Sequence, residues 1–443
     1  MPFADPKPCN HLLLFTYYFP PLGMAGVQRV SRLVKYLPRF GWSCTVITPK
    51  PIHYYAYDNT LLEGIPSGTR VIRTPSLCPQ RMARIVLDIK AQVTSQPYRP
   101  PEYLTSSNRR FMSALKNFLI PDEKIGWIPF ALWAGIKEII SGNYQAIMTT
   151  NPPESVHLIG LALSAISGLP WVADFRDEWS RRALRRHQLS LTKWVNRKLE
   201  KTVVSRADLV TAVSPKMTAD FASLHQEKSA NRLVTITNGF DPEILPYHPR
   251  VNRSGKMLLT HVGNFTDRSS AKIFLNVLME MKRAKPTLNK ELSVRFLGLL
   301  RYEDAQLVET YHLSDVVEMC GYLPHRQALS ALLDSDALLL LMGEGLEGSR
   351  ILLKTFEYLW ARRPVLAIAP RTEGVRLMEE LGVAQVVAPS DKRSIRDKLD
   401  RLIGQFHSGI LEKTLPQIDL TPYSYLEQVR NLAKSLDELA GER

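Results

Sequence analysis

The side chains best suited to chemistry stand in short clusters at the ends of apolar runs. Asp174-Phe175-Arg176-Asp177-Glu178-Trp179 gathers three carboxylates and a guanidinium directly after the run that begins at Trp171. If that run is a parallel strand, the cluster falls at its C-terminal end, where open α/β sheets bind ligands. A structural Asp–Arg ion pair explains the same residues, and both readings stay open. Upstream, Gly23 and Gly26 precede a helical pattern that contains Arg29. Glycines there permit a tight turn and leave amide groups free at a helix N-terminus, a place for phosphate or a sugar hydroxyl. A plain strand-to-helix turn uses glycine as well. Gly23, Gly26, Arg29 and Asp177 are the candidates for an acceptor or phosphate loop. Further on, Lys354 and Glu357 stand three residues apart, as ligand-binding groups or as a surface i,i+3 salt bridge. Asp334-Ser335-Asp336 has the look of a metal-binding carboxylate pair, but turn carboxylates before a buried strand are ordinary, and no metal site is expected.

Elements able to position these clusters follow from hydrophobic spacing. His11 to Thr16 and Cys44 to Thr48 are strand-length runs, and Val27, Val30, Leu33, Val34 and Leu37 between them recur on one helical face. Strands are predicted at Gln145–Thr149, Trp171–Asp174 and Leu209–Val213, with helices such as Val156–Ser167 between them, an alternation that implies a parallel sheet. The segment of about 51–129 breaks the alternation and reads as an insertion. Asn238 to Lys256 reads as a linker, opened by the turn dipeptide Asn238-Gly239. Alternation resumes with strands at Met257–Val262, Val294–Leu297, Val316–Gly321, Ala337–Met342, Pro364–Ala369 and Val383–Val387. A last amphipathic segment, Tyr423–Leu439, puts Leu426, Val429, Leu432, Leu436 and Leu439 on one side and needs a groove to fill. With 443 residues, 45% of them hydrophobic, the chain is long enough for two cores. The expected division is 1–245, 246–420 and a C-terminal helix at 421–443.

Charge is uneven. Residues 1–250 hold 31 Lys and Arg against 18 Asp and Glu, a net +13, while the remainder is nearly neutral. A basic half points to an anionic partner such as a membrane surface or a phosphate-bearing acceptor. No nucleic-acid-binding signature accompanies the charge, so nucleic acid is not an expected partner. Arg109, Arg110, Phe111, Leu115, Lys116, Phe118 and Leu119 interleave cations with apolar side chains, as in an interfacial helix or in a core helix with a basic edge. The cluster Arg181, Arg182, Arg185 and Arg186 fits a solvated helix face or a phosphate-facing surface. Cys9, Cys44, Cys78 and Cys320 are too scattered for a disulfide framework or metal knuckle and are expected to be reduced. No run reaches the roughly 18 apolar residues of a membrane span, and MPFADPKPCN lacks a signal pattern. A cytoplasmic location is expected, with peripheral contact to the inner face of the membrane.

Four segments, in order over nearly the whole chain, are similar to glycosyltransferase family 4. They are YFPPLGMAGVQRVSRLVKYLPRFGWSCTVITP (Tyr18 to Pro49), TNPPESVHLIGLALSAISGLPWVADFRDEWSR (Thr150 to Arg181), ITNGFDPEILP (Ile236 to Pro246), and THVGNFTDRSSAKIF (Thr260 to Phe274) with GEGLEGSRILLKTFEYLWARRPVLAIAP (Gly343 to Pro370). The second resembles a subgroup active on cell-surface polysaccharides and lipid-linked sugars. The resemblance implies an α/β chain of two Rossmann-like domains facing across a cleft, the GT-B fold, with the C-terminal helix packing back toward the first domain.

For chemistry, the resemblance implies a retaining, metal-independent transfer from a nucleotide-sugar donor to a glycan or lipid-linked acceptor, with no cofactor beyond the donor. The chain would turn at Gly263 around the donor diphosphate, with Arg268, Lys272 and Lys354 as cations, and Glu357 would hold the ribose. Many relatives carry a second glutamate where this chain has Ser349, and Glu347 is the candidate substitute. Arg176 stands near the place of a histidine that contacts the transferred sugar in many relatives, so Asp174 and Arg176 complete the catalytic candidates. Two other classes fit the same fold: a sugar-nucleotide epimerase, and a non-catalytic nucleotide-binding relative.

Overall fold

Apolar runs alternating with amphipathic segments assemble, in the computed structural model, into two separate all-parallel sheets. The structure describes residues 10–23, 25–51, 57–79, 119–180, 189–224, 232–245, 255–265, 270–299, 301–344 and 351–441. The first sheet holds β1 (Asn10–Thr16), β2 (Trp42–Pro49), β3 (Arg70–Thr74), β4 (Ala146–Asn151), β5 (Trp171–Phe175), β6 (Leu209–Ala212) and β7 (Leu233–Thr235), in the order β3-β2-β1-β4-β5-β6-β7. In the second stand β8 (Met257–Val262), β9 (Leu292–Leu297), β10 (Val317–Gly321), β11 (Ala337–Leu341), β12 (Val365–Ile368) and β13 (Ala384–Val387), in the order β10-β9-β8-β11-β12-β13. Each order reverses once, between β1 and β4 and between β8 and β11. At such switch points the C-terminal strand ends open a crevice for ligands.

The strands are near-continuous apolar runs because both faces of each sheet are covered. In the first sheet Leu13, Phe15, Ile147 and Ala173 share a core with α3 (Ile128–Ser141), α4 (Ser155–Ser167), α5 (Ser190–Arg206) and α6 (Pro215–Leu224). Their strand neighbours Leu12, Leu14, Met148 and Val172 point the other way, to α1 (Ala25–Tyr36) and the C-terminal α13 (Tyr425–Gly441). A short α2 (Thr60–Glu63) precedes β3. The second sheet is flanked by α7 (Lys272–Ala284), α8 (Tyr302–Thr310), α9 (His325–Leu333), α10 (Leu353–Ala361), α11 (Glu373–Glu380) and α12 (Lys392–His407).

Two strands escape the hydrophobic pattern, and both are edges. β3 reads RVIRT, with arginines at residues 70 and 73, and β7 spans three residues. Edge strands are short and carry charge, which blunts pairing with other chains and also erases their sequence signal. β3 lies inside the segment expected as an insertion. Residues 57–79 and 119–129 instead belong to the first domain, and Trp127, fully buried, donates from Nε1 to Thr74 Oγ1 at 2.7 Å. The remainder of that segment, including Arg109 to Phe118, lies outside the described residues, as do Arg181 to Arg186. Cys44 and Cys78 are buried free thiols and Cys320 is partly exposed.

The groove that α13 fills belongs to the first domain. Val429, Leu432 and Leu436 are buried against Val30, Leu33 and Trp42, each contributing on the order of 1.5–3 kcal/mol. Trp42 also donates to Asp437 at 2.8 Å. The chain therefore crosses between domains twice, and the crossings touch. Phe240 donates to Tyr423 O at 3.1 Å and accepts from Tyr425 N at 2.8 Å. Between them sits Gly239, where a Cβ would stand 2.7 Å from Tyr423 O and 2.8 Å from Tyr425 N. The Asn238-Gly239 turn is thus a close backbone approach that only glycine allows. Gly239→Ala should cost about 1–3 kcal/mol of stability by forcing the crossings apart. Thermal unfolding checks this, and an unchanged midpoint would refute it.

Candidate functional site

On the first-domain side, the strand-end cluster is organised by a buried ion pair. Arg29 projects from α1 between Val27 and Val30, and Nη2 and Nε reach Asp174 Oδ1 and Oδ2 at 2.8 and 3.2 Å. Thr150 and Thr211, on the strands flanking β5, donate to the same carboxylate at 2.6 and 2.7 Å. Arg29 also donates to Ile236 O and Thr237 O at 2.9 and 2.8 Å, at the start of the linker. The Arg29 guanidinium and the two hydroxyls hold the Asp174 carboxyl below the usual range despite burial. Both residues are essentially inaccessible. The loop role expected of Arg29 and the catalytic role expected of Asp174 are therefore corrected: a carboxylate with both oxygens doubly engaged faces the fold, not a ligand.

Arg176 differs from its expected role in a similar way. Its side chain donates to the carbonyls of Asn151, Pro152 and Gly26, and its amide to Asn151 Oδ1 at 2.8 Å. Burial pushes its pKa down from the free value. This cation pins the loop after β4 to the first turn of α1. Gly26 lies within that turn, at no positive φ, and a Cβ there would meet nothing within 4 Å. What its glycine leaves is bare space at the α1 N-terminus, not a strained turn. Asp177, beyond Arg176, is partly exposed, and Gly23 is buried in the loop before α1.

On the second-domain side, the end of β8 and the start of α10 converge. Gly263 has φ +146°, and a Cβ on it would lie 2.4 Å from Lys354 Nζ and 3.5 Å from His261 Nε2. Close approach of an ammonium to bare backbone thus requires glycine here. Burial pushes the Lys354 pKa down to about 8, with Glu357 pulling in the opposite direction. One turn along α10, Glu357 Oε1 is 2.7 Å from Nε2 of His325, the first residue of α9. Lys272 is exposed at the first position of α7. Arg268, Glu347 and Ser349 lie outside the described residues.

Glu357 and His325 line a small pocket whose other wall is Gln28 and Arg32 of α1, with Gly239 to Asp241 and Tyr425 at its base. Arg32 and Lys35 reach Asp241 at 2.9 and 3.0 Å, and these cations hold its carboxyl below the usual range. Across the same gap, Asp58 Oδ2 accepts from the His325 amide at 2.8 Å. Sequence reasoning did not single out Asp58, His261 or His325. The retrievable signal was His325, which follows Pro324 just past β10, again at a strand end. His261 donates from Nδ1 to Leu339 O at 2.8 Å, burial and then the Lys354 cation push its pKa well down, and its buried Nε2 has no hydrogen-bond partner. Among the described residues, no three His, Cys, Asp or Glu side chains converge as a metal-ligand set.

Two parallel sheets opposed across a cleft, with basic and acidic groups at the facing strand ends, are matched by known proteins. Residues 25–239 match the family model described as the glycosyl transferase 4-like domain. The first domain of this chain is a glycosyl transferase 4-like domain. In structure it is similar to sucrose-phosphate synthase from Thermosynechococcus elongatus, with TM-score 0.60, 14% identity, and coverage of 98% of this chain and 97% of that one. It is similar also to Anabaena Alr3699/HepE in complex with UDP, with TM-score 0.57, 14% identity and coverage of 98% of each chain. A third, WaaG, a glycosyltransferase involved in lipopolysaccharide biosynthesis, gives TM-score 0.54 at 13% identity, covering 97% of this chain and 98% of that one. At these identities the likeness shows the shared GT-B fold. No curated protein matches the sequence.

The Lys354 pKa of about 8 gives this glycosyltransferase a titratable site. Below that value the ammonium is charged and would attract a diphosphate; as pH rises through it, the charge is lost while a diphosphate stays anionic. Affinity for a nucleoside diphosphate should accordingly fall as pH climbs from about 7 to about 9.5, and Lys354→Arg, charged throughout, should flatten the profile. Titration calorimetry with UDP, GDP and ADP reads this out. An unchanged slope in Lys354→Arg would show that another group governs it.

Proposed function

We propose that this glycosyltransferase moves a sugar from a nucleotide-sugar donor to a glycan or lipid-linked acceptor with retention of configuration, using fixed cations in place of a divalent ion. The observation that carries the reading is the convergence of Gly263 and Lys354 at the end of β8, with Glu357 one turn along α10 facing Gln28 and Arg32 of α1. Glu357 has two acceptor oxygens, which suits two vicinal ribose hydroxyls, and its present partner His325 marks it as able to accept in this pocket. Lys354 lies next to the bare backbone of Gly263, which supports a role for it at a diphosphate.

As the glycosidic bond to the diphosphate breaks, negative charge grows on the leaving oxygen. A preorganised cation in a water-poor site stabilises that charge by about 3 kcal/mol. Lys354, with Arg268 and Lys272 as the further candidates, would supply it. The acceptor hydroxyl would attack on the face from which the diphosphate departs, its proton passing to the leaving group, so that no enzyme nucleophile is needed. In this reading Asp174, Arg29 and Arg176 are positioning residues: they hold the β5 end, the α1 N-terminus and the linker in register without touching substrate. Anabaena Alr3699/HepE has been crystallised with UDP, with UDP and glucose, and with UDP-glucose, which favours a sugar donor carried on a nucleoside diphosphate. WaaG takes part in lipopolysaccharide biosynthesis, and its likeness to this chain supports a glycan acceptor that is lipid-linked or phosphate-bearing.

Glu357→Ala should lower transfer by about 100-fold or more, roughly 3 kcal/mol of lost transition-state binding, with the unfolding midpoint preserved. Activity within a few-fold of the parent would remove Glu357 from the donor site. Transfer should also proceed undiminished in EDTA; loss restored by Mg²⁺ or Mn²⁺ would replace the fixed-cation mechanism with a metal-assisted one.

A further inference from the structure

Of the seven tryptophans in the chain, five are buried to 6% exposure or less, while Trp133 and Trp194 are 63% and 58% exposed. Both exposed ones sit on the same helical layer of the first domain, Trp133 on α3 and Trp194 on α5, with α4 packed between. Each is followed one turn later by a lysine laid over its ring. Lys137 Nζ is 4.8 Å from the Trp133 centroid, and Lys198 Nζ is 5.5 Å from that of Trp194. The stripes continue with exposed apolar side chains, Ile140 on α3 and Leu191 on α5. Neither stripe serves the core, which these helices contact through their opposite faces.

Charge on this layer has one sign. Within α3 and α5 the acidic residues are Glu138 and Glu200, and both are buried, so the outward charges of the two helices are cations. A second copy of the same face would bring like charges together, and a neutral apolar partner would leave the lysines unmatched. An anionic lipid surface satisfies both features at once. Indole rings favour the headgroup level, with an apolar body and a polar N–H, and lysines beside them reach outward to phosphate. Cations near such a surface add electrostatic attraction that salt screens.

Position adds a functional reason. Helices that follow parallel strands run antiparallel to them, so their first turns lie at the strands' C-terminal edge, where the cleft opens. Trp133 and Trp194 both stand in the first halves of their helices. We propose that the exposed α3–α5 layer docks the enzyme on an anionic bilayer through Trp133 and Trp194, flanked by Lys137 and Lys198, with the cleft mouth near the headgroups. This deepens, and rests for its purpose on, the lipid-linked acceptor reading. Binding needs neither donor nor transfer, so the two can fail separately.

The test is flotation of the full chain with phosphatidylcholine vesicles, with and without phosphatidylglycerol, at low and high salt. The parent should float with the anionic vesicles at low salt and lose that binding as salt rises. Lys137→Ala with Lys198→Ala should weaken partitioning about 30-fold, as two surface cations imply. Trp133→Ala with Trp194→Ala should weaken it at least about tenfold. Circular dichroism and the thermal midpoint, expected to match the parent because all four residues lie outside the core, separate lost binding from lost folding. Equal recovery with neutral vesicles, or parental flotation by both double variants, would overturn the proposal. So would a dimer in sedimentation that dissociates in the tryptophan double variant without any flotation, since the layer would then be a contact between copies.

Discussion

One buried interaction sets the geometry on which the first-domain side of the cleft depends. Arg29 and Asp174 are taken out of water together, and the cost is offset because every strong hydrogen-bonding direction of the carboxylate is filled by Arg29, Thr150 and Thr211. Removing one partner of such a pair typically costs about 3–5 kcal/mol, since the other is left charged and unpaired. The guanidinium binds the end of β5 with one edge and two carbonyls at the start of the linker with the other. A helix that begins at the cleft, a strand that ends there and the segment leading to the second domain are held by one side chain.

From that anchor the remaining arrangement follows in steps. Arg176, two residues past Asp174, ties the loop after β4 to the first turn of α1 through carbonyl oxygens. Next come Arg32 and Lys35 on α1, which grip Asp241 just beyond the linker turn, while α13 returns to bury its apolar stripe beside them. Glu357 and His325 then face α1 across a gap whose floor is this doubled crossing. Basic side chains near the cleft are thus divided between those consumed by carbonyls and carboxylates and those that the proposed function assigns to a diphosphate. Lys354 belongs to the second group: burial depresses its pKa, and the opposing pull of Glu357 is too weak to restore it.

Much of the fold was legible in the sequence because parallel strands buried on both faces leave long apolar runs. Met257–Val262 coincides with β8, and the other core strands differ from their predicted bounds by a residue or two. The edge strands β3 and β7 were not legible, being short or charged. At the candidate site, the family resemblance singled out Gly263, Lys354 and Glu357, and the structure sets Lys354 beside Gly263 with Glu357 one turn along the same helix. Motif reading failed to distinguish a ligand-facing arginine from a structural one at Arg29 and Arg176, because Arg29 meets Asp174 across 145 residues of chain and Arg176 meets carbonyls 24 to 150 residues away. Asp58 and His325 were invisible for the same reason: they meet only when the domains are brought together.

The central proposition is that fixed charge, with no enzyme nucleophile, moves a sugar with its configuration preserved. Proton NMR of the anomeric centre tests it most directly. The chain would be incubated with UDP-, GDP- and ADP-sugars and a soluble acceptor analogue in EDTA, and the coupling constant of the first-formed product compared with that of the donor. An α-linked donor giving an α-linked product, with one nucleoside diphosphate released per linkage formed, is the expected result. A β-linked product, or a donor whose sugar changes without any acceptor-dependent linkage, would contradict it.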